Sequence, residues 1–136
     1  MLPPLPKQNK HKEANFGVEL KHYFEKYPQN TCSLEIKHTH GKNSLPFKEV
    51  KAEQEAYASR INGDKGAWIR VQGLSGEPDY IYMRNEIALI IIRYPKGFCF
   101  ITIGNFLHEK EFSRCKSLTW ERACEIAVKV VIKKTH

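Results

Sequence analysis

The chain has 136 residues and a formal net charge of +7, from 22 Lys and Arg against 15 Asp and Glu with His neutral. Hydrophobic residues make up 41% and charged residues 27%, a composition that supports a packed core and argues against a disordered chain. The longest apolar run, Ile87–Ile92, is far too short to cross a bilayer, so we expect no membrane-spanning helix. The basic excess favours a polyanionic partner, most often nucleic acid, although acidic proteins and membrane surfaces attract the same charge.

The first segment, Met1–Lys12, contains three prolines followed by a basic run. This composition predicts a flexible basic arm outside the core. Such an arm can follow a phosphate backbone, and a solvated tail explains the same residues equally well. Residues 13–136 contain no internal repeat and no linker, so we expect them to form a single domain.

Residues Glu13–Tyr27 follow the spacing of an amphipathic helix that ends before Pro28. Its apolar stripe consists of Phe16, Leu20, Tyr23, Phe24 and Tyr27. Extending the stripe toward the N-terminus places Glu13 on the same face, while Glu19 lies nearer the border. A carboxylate aligned with an apolar stripe is notable, because burying it without a partner is costly.

The segment Thr31–Thr39 alternates in the manner of a half-buried strand. Leu34 and Ile36 share one face of this strand. Glu35 and Lys37 share the other, so a carboxylate and an ammonium group project side by side.

A second helix is predicted after the break at Gly41–Asn43, with Ser44 as its cap and Pro46 in its first turn. Its buried stripe consists of Phe47, Val50, Tyr57 or Ala58, and Ile61. Gln54 falls within this stripe, and turn-forming residues at Asn62–Gly66 end the helix.

Strands are predicted next, and one of them is apolar enough to be central and covered on both faces. They are Ala67–Val71, a strand that begins with Asp79–Tyr82, the central Ile87–Tyr94, and Phe98–Ile103. A closing helix at Leu118–Val131, capped by Ser117 or Thr119, is predicted from its apolar spacing. This order of elements predicts an α/β or α+β fold, with a single mixed sheet flanked by helices.

The cysteines favour an intracellular, cytoplasmic protein. They are widely spaced, without a C-x-x-C pair or a close Cys/His cluster of the zinc-binding type. The four are Cys32, Cys99, Cys115 and Cys124. The N-terminal residues also lack the apolar segment of a secretory signal, so nothing in the sequence suggests secretion.

The pattern Glu35-Ile36-Lys37 is the sharpest candidate for chemistry. A carboxylate on a strand can hold Mg²⁺, which prefers oxygen ligands and serves phosphodiester chemistry. A neighbouring lysine can orient the attacking water and offset charge that grows on the scissile phosphate. Taken alone, however, E-x-K is more often a solvated strand face with a salt bridge.

Further polar residues at core-edge positions strengthen the candidate site. Gln54 and Glu13 lie on the apolar faces of their predicted helices, and Asp79 begins a strand after a glycine-containing loop. Each also has a structural explanation: Gln54 as a hydrogen-bonded core amide, Glu13 as part of a frayed helix start, and Asp79 as a turn residue.

At this point the chain resembles the PD-(D/E)XK nuclease superfamily, in the runs Cys32–Lys37 and Ser44–Gln54. The closest likeness is to Holliday-junction-resolving enzymes of the recombination-U, archaeal and phage type, in which a strand-borne E-x-K is followed by an S-x-P-F/L entry and a glutamine-bearing helix. The resemblance implies a restriction-endonuclease-like fold and Mg²⁺-dependent cleavage of phosphodiester bonds in branched DNA, with Mn²⁺ as a substitute metal. It also implies a homodimer that acts in DNA recombination and repair, of cellular or phage origin.

One departure from the family concerns its aspartate, which usually lies shortly before the E-x-K strand. Here no Asp lies between Tyr27 and Glu35, and the Pro78-Asp79 pair comes after the glutamine helix. Either Asp79 enters the site from a neighbouring strand, or the aspartate and the activity are lost. A third alternative keeps the family's usual order, in which the aspartate of Pro78-Asp79 precedes the E-x-K strand. The positions of the glutamate and the lysine then fall near Ile91 and Arg93. In that case Glu35 and Lys37 replace them from an adjacent strand. We favour a rearranged and working site.

The resemblance assigns a role to each candidate residue. Glu35 and Asp79 bind Mg²⁺, and Glu13 completes the metal site directly or through water. Lys37 assists the nucleophilic water, and Gln54 positions that water or a phosphate. The candidate phosphate contacts are Lys7, Lys10, Lys12, Lys42, Lys48 and Lys51.

Two other functions fit the sequence. One is a non-catalytic nucleic-acid-binding module with a decayed nuclease fold, and the other is a small basic protein that binds an acidic protein.

Overall fold

A computed structural model describes residues 15–23, 25, 32–72 and 76–133. The described helices are α1 (residues 15–23), α2 (Ala52–Asn62), α3 (Ile103–Phe112) and α4 (Trp120–Ile126). The strands are β1 (Cys32–His38), β2 (Ser44–Pro46), β3 (Ala67–Gln72), β4 (Pro78–Met83), β5 (Ile87–Tyr94), β6 (Gly97–Thr102), β7 (Ser117–Thr119) and β8 (Lys129–Ile132). The predicted basic arm and Glu13 lie outside the described residues.

The main sheet has four strands in the order β1-β5-β6-β8. β1 and β5 run parallel, with α2 in the connection between them, whereas β6 is antiparallel to both β5 and β8. Two further antiparallel pairs, β2–β7 and β3–β4, form separate two-stranded sheets. We call the β3–β4 pair the ribbon. This mixed arrangement of helices and strands confirms the predicted fold class and its mixed sheet, but the described strands do not form a single sheet, because β3 and β4 pair with each other instead of joining the main sheet.

Strand β5 lies at the centre of the core, as its apolar sequence predicts. Successive side chains of a strand point to opposite faces, so β5 contributes to an apolar cluster on each side of the sheet. The cluster on the α1 side includes Phe16, Leu20, Ile91, Phe98 and Phe100. The cluster on the opposite side, which we call the α2 side, includes Ile61, Ile90, Ile92, Ile101 and Phe106.

The second helix begins later than predicted. Ser44 and Pro46 belong to strand β2, which pairs with β7, and a short 3-10 turn separates that strand from the start of α2 at Ala52. Ser44 is therefore not the helix cap, and Pro46 is not in the first turn. The physical reason is tertiary, because the paired residues Leu45 and Leu118 are both buried in the core.

The prediction of a long closing helix is wrong. Helix α4 ends at Ile126, and Val130 and Val131 lie in β8, where they pair with β6. Their spacing fits a helix, but β-branched valines are well suited to the edge of a sheet. Thr119 is confirmed as the cap, since its hydroxyl accepts a hydrogen bond from the backbone N–H of Arg122 at 3.2 Å.

Helix α3 was not predicted at all. It begins where the last predicted strand ends, and the Thr102 hydroxyl caps it by accepting a hydrogen bond from the Asn105 backbone N–H at 3.1 Å. Phe106 anchors the helix in the core. None of the described helices is long and apolar enough to cross a membrane.

Candidate active site

The structure brings together three of the residues that the sequence singled out. The side-chain amide of Gln54 donates from Nε2 to Glu35 Oε1 at 2.8 Å. The Lys37 ammonium lies 3.7 Å from the same carboxylate oxygen. Glu35, Lys37 and Gln54 thus form one interacting group, although they come from a strand and from the helix that follows it.

Strand alternation explains why Glu35 and Lys37 face α2. Leu34 and Ile36 pack against the cluster on the α1 side of the sheet. The residues between and after them must therefore point to the α2 side, because the side-chain period of a strand is two. The predicted division of β1 into an apolar face and a charged face is confirmed.

Helix α2 in turn orients the amide of Gln54. The side-chain carbonyl of Gln54 accepts a hydrogen bond from the backbone N–H of Lys51 at 2.9 Å, which caps the first turn of the helix. With the carbonyl so engaged, the amide nitrogen is directed toward Glu35. The expectation that a primary amide on the buried stripe needs a specific partner is confirmed.

The pair of charges lies at the edge of the protein interior. The Lys37 side chain is 13% exposed and the Glu35 side chain 33% exposed. Charges in such a partly desolvated place interact more strongly than they would in water. The site therefore combines a fixed carboxylate with a nearby cation and an access route for solvent.

The donor set fits Mg²⁺ in part. Glu35 Oε1 is engaged by Gln54 and Lys37, and no hydrogen bond or ion pair from another described residue involves Oε2. Mg²⁺ in phosphoryl-transfer sites is commonly held by one or two carboxylates, several waters and the substrate phosphate. Glu35 supplies one oriented carboxylate, which is the smaller number in that range.

Asp79 is not part of this hydrogen-bonded group. It lies on β4 as predicted, but it is exposed and pairs in register with Val71 in the ribbon. Within the described ranges, no group of three or more His, Cys, Asp and Glu residues is placed to hold a metal ion. The role of Asp79 as a metal ligand stays a prediction.

Of the two helix carboxylates considered for the metal site, the structure describes only Glu19. Glu13 lies outside the described residues, and its assignment stays a prediction. Glu19, the other acidic residue considered for this role, receives a hydrogen bond from Arg93 Nε at 3.4 Å. Arg93 follows Ile91 on the α1 side of β5, whereas Glu35 points to the α2 side.

The third alternative for the site stays a prediction: β1, which carries Glu35 and Lys37, is adjacent to β5 as that alternative requires, but the side chains of Ile91 and Arg93 lie on the α1 side of the sheet. Ile91 is fully buried in the cluster on the α1 side, and Arg93 is buried with its guanidinium bonded to backbone carbonyls and to Glu19. The charged pair of the E-x-K pattern lies on β1.

The structure describes three of the six lysines that were predicted to contact phosphate. Lys42 is exposed in the turn between β1 and β2, and Lys48 and Lys51 are exposed just before α2, in keeping with a role at the surface. Lys7, Lys10 and Lys12 lie outside the described residues.

A cationic cleft that was not predicted from the sequence is lined by residues 46–48, 110 and 113–117. Its volume is about 680 Å³, and no carboxylate is among its lining residues. The cationic side chains that line it are Lys48, Lys110, Arg114 and Lys116. Lys110 is also bonded to Glu55 of α2 at 2.9 Å, one residue beyond Gln54. We call this feature the basic cleft. The adjacent cations of residues 114–116 were the available signal, but they lay in a segment with no predicted element.

The chain matches no protein-family model, and neither the curated proteins nor the solved structures include one that is similar to it.

Proposed function

We propose that the protein is a Mg²⁺-dependent, structure-specific DNA endonuclease of the PD-(D/E)XK type, which resolves Holliday junctions. The observation that carries this proposal is the group formed by Glu35, Lys37 and Gln54. A carboxylate and a lysine side by side on one strand, with an amide that fixes the carboxylate, supply the side chains that the proposed phosphodiester hydrolysis needs.

Each residue of the group has a distinct role in this proposal. Glu35 holds the metal, for which Mn²⁺ can substitute, and Gln54 keeps the carboxylate in one orientation. Lys37 stabilises negative charge on the scissile phosphate and orients the attacking water. When bound, Mg²⁺ supplies Lewis-acid polarisation of the phosphoryl oxygen.

The surroundings of the group suit a DNA substrate. The basic cleft and the exposed lysines near α2 offer contacts for backbone phosphates, which hold the duplex in register without reading its sequence. Paired incisions across a junction need two such sites, so the proposed enzyme works as a homodimer. The proposal places it inside the cell, where such DNA occurs.

A second candidate function is a nucleic-acid-binding module without catalytic activity. The position of Asp79 favours this candidate, because its side chain is exposed in the ribbon and makes no hydrogen bond to the Glu35 group. Such a module would keep the basic cleft and lose the need for a metal.

A cleavage assay separates these functions. Wild-type protein is incubated with four-way junction, flap, nicked and linear DNA in Mg²⁺, in Ca²⁺ and in EDTA. The nuclease predicts cleavage in Mg²⁺ with a preference for the junction, and none in EDTA. Salt-sensitive binding without cleavage under Mg²⁺ or Mn²⁺ would reject the nuclease in favour of the module.

A further inference from the structure

One face of the ribbon carries three aromatic side chains and one arginine. Trp68 pairs in register with Tyr82, and Arg70 pairs with Tyr80. Residues that are directly opposite, or two apart along a strand, lie on the same face, so these four side chains share one surface. We call it the aromatic face.

The aromatic face is open to solvent. Trp68 is 64% exposed, Tyr80 59% and Tyr82 44%, and the rings of Trp68 and Tyr82 lie 5.2 Å apart. Large aromatic side chains dominate cores and interfaces because of the area they bury. A contiguous exposed group of them indicates a binding surface rather than scattered surface residues.

The aromatic face is held in place by contacts at its base. The Tyr82 hydroxyl donates to the backbone carbonyl of Lys65, and the Tyr57 hydroxyl of α2 donates to the backbone carbonyl of Trp68. Gly66 lies directly against the Tyr82 ring, where a Cβ would come within 2.7 Å of it. The Tyr82 ring and the backbone at Trp68 are therefore held before any partner arrives, which lowers the entropic cost of binding.

Helix α2 connects the aromatic face to the candidate active site. Tyr57, which holds the backbone at Trp68, lies one helical turn after Gln54, which holds Glu35. A nucleic-acid strand with a phosphate near Glu35 would thus pass close to the ribbon.

The charges around the face indicate its partner. Arg70 lies opposite Tyr80 on this face and is the charge that the face itself carries, whereas Lys65 and Arg84 at the base of the ribbon are accompanied by Asp64 and Glu86. Asp79, next to Tyr80 in the chain, points to the opposite face because strand side chains alternate. A purely apolar partner would leave the Arg70 guanidinium without a use, whereas nucleic-acid bases stack on aromatic rings and on arginine alike.

We propose that the aromatic face of the ribbon is a stacking surface for unpaired bases of the nucleic acid that the protein binds. The proposal rests on the proposed function only for the identity of that nucleic acid as branched DNA, which offers unpaired bases where base pairs open at the branch point. Trp68, Tyr80 and Tyr82 supply the rings, and Arg70 adds a stacking or phosphate contact.

Tryptophan fluorescence tests the proposal, because the chain has two Trp and the other, Trp120, is buried. Protein is titrated in EDTA with a single-stranded thymidine 20-mer, a blunt 20-base-pair duplex and a four-way junction. We expect quenching by the single strand and the junction, and little by the blunt duplex. Trp68→Phe should abolish the quenching while anisotropy still reports binding.

Two further variants measure the contribution of stacking to affinity. Trp68→Ala should weaken binding of the single strand by on the order of tenfold, since each stacked base contributes measurably to affinity. Phe112→Ala is the matched control, because Phe112 is an aromatic residue that is 67% exposed and lies outside the ribbon. The control should bind as the wild type does.

Several outcomes would overturn the proposal. These are unchanged Trp68 emission at saturating single strand, wild-type affinity in Trp68→Ala, or quenching that follows protein concentration without DNA, which would show that a second copy covers the face. Quenching without cleavage in Mg²⁺ would leave this inference intact and reject the nuclease. Cleavage in Mg²⁺ without quenching would support the nuclease and overturn the stacking surface.

Discussion

The side-chain amide of Gln54 is fixed at both ends by different partners. Its oxygen accepts from the Lys51 backbone and its nitrogen donates to Glu35. A glutamine in this place therefore ties the start of α2 to the carboxylate on β1. The sequence could single out this residue, because an amide on an apolar helix face needs hydrogen-bond partners, but it could not show that the partner is Glu35, since only the structure places that face of β1 against α2.

Replacing Gln54 with alanine should raise the Mg²⁺ concentration for half-maximal cleavage by about 10- to 100-fold, as is usual when a metal-binding side chain loses its partner. DNA binding in EDTA should stay unchanged. Cleavage titrated against Mg²⁺ measures the first quantity and fluorescence anisotropy the second. Glu53→Gln, at an exposed position of the same turn, is the control; an unaltered Mg²⁺ dependence in Gln54→Ala would contradict the positioning role.

Thiol reactivity should follow burial. Burial raises the pKa of the Cys99 thiol to about 12, with a smaller contribution from Cys124, whereas Cys115 is exposed. At pH 8 almost none of the Cys99 thiol is in the reactive thiolate form. Alkylation with iodoacetamide, followed by mass spectrometry of the peptides, should show Cys115 reacting at least about ten times faster than Cys99. Equal rates in the native protein would contradict the packing of β6.

At the scale of elements, the strands of the main sheet were predictable where their patterns were strong. The alternation at β1 and the continuous apolar run at β5 each allow only one arrangement. The boundaries of helices and strands were not predictable where pairing with a strand distant in the sequence determined them. Leu45 and Val130 fit a helical spacing, and the structure places both in strands because β7 and β6 pair with them.

The turn between β5 and β6 offers a test of this packing. A Cβ added at Gly97 would lie 2.0 Å from the backbone oxygen of Val131 in β8, so Gly97→Ala must push the edge strand away. We expect the free energy of unfolding to fall by about 1–3 kcal/mol, the usual cost of overpacking. Chemical denaturation measures this change.

The matched control for the turn is Gly104→Ala in α3, where an added Cβ has no heavy atom within 4 Å. Because alanine favours a helix over glycine, this variant should be as stable as the wild type or more stable, by up to about 1 kcal/mol. Equal stabilities of the two variants would contradict the close approach of β8.

At the scale of the whole molecule, helix α2 joins three features with separate contacts. Gln54 holds Glu35, Glu55 holds Lys110 of the basic cleft, and Tyr57 holds the ribbon at Trp68. One helix therefore helps to position the candidate active site, one cation of the basic cleft and the backbone of the ribbon.

The basic cleft shows where prediction from the sequence had to fail. Lys48, Lys110 and Lys116 come from three separate segments: the pairing of β2 with β7 brings the first and the last together, and Lys110 joins them from α3. The net charge of +7 indicated a polyanionic partner but could not place it.

Removing cations from the cleft should weaken DNA binding and reduce its salt dependence. The double variant Arg114→Ala, Lys116→Ala should lower the slope of log K against log salt by about 2, since each phosphate contact contributes about one. Lys21→Ala, on α1 at the opposite side of the sheet, is the control and should leave the slope unchanged. A wild-type slope in the double variant would exclude the cleft from the DNA interface.

The central claim is that Glu35 is the carboxylate of a metal-dependent phosphodiesterase site. Its most direct test is single-turnover cleavage of a four-way junction in Mg²⁺ by the wild type and by Glu35→Gln, with the protein in excess so that all the DNA is bound. We predict that the wild type cuts the junction and that Glu35→Gln binds it with similar affinity but loses at least about 100-fold in rate, the scale on which such charged groups contribute. Equal cleavage by the two proteins, or no cleavage by the wild type, would contradict the claim.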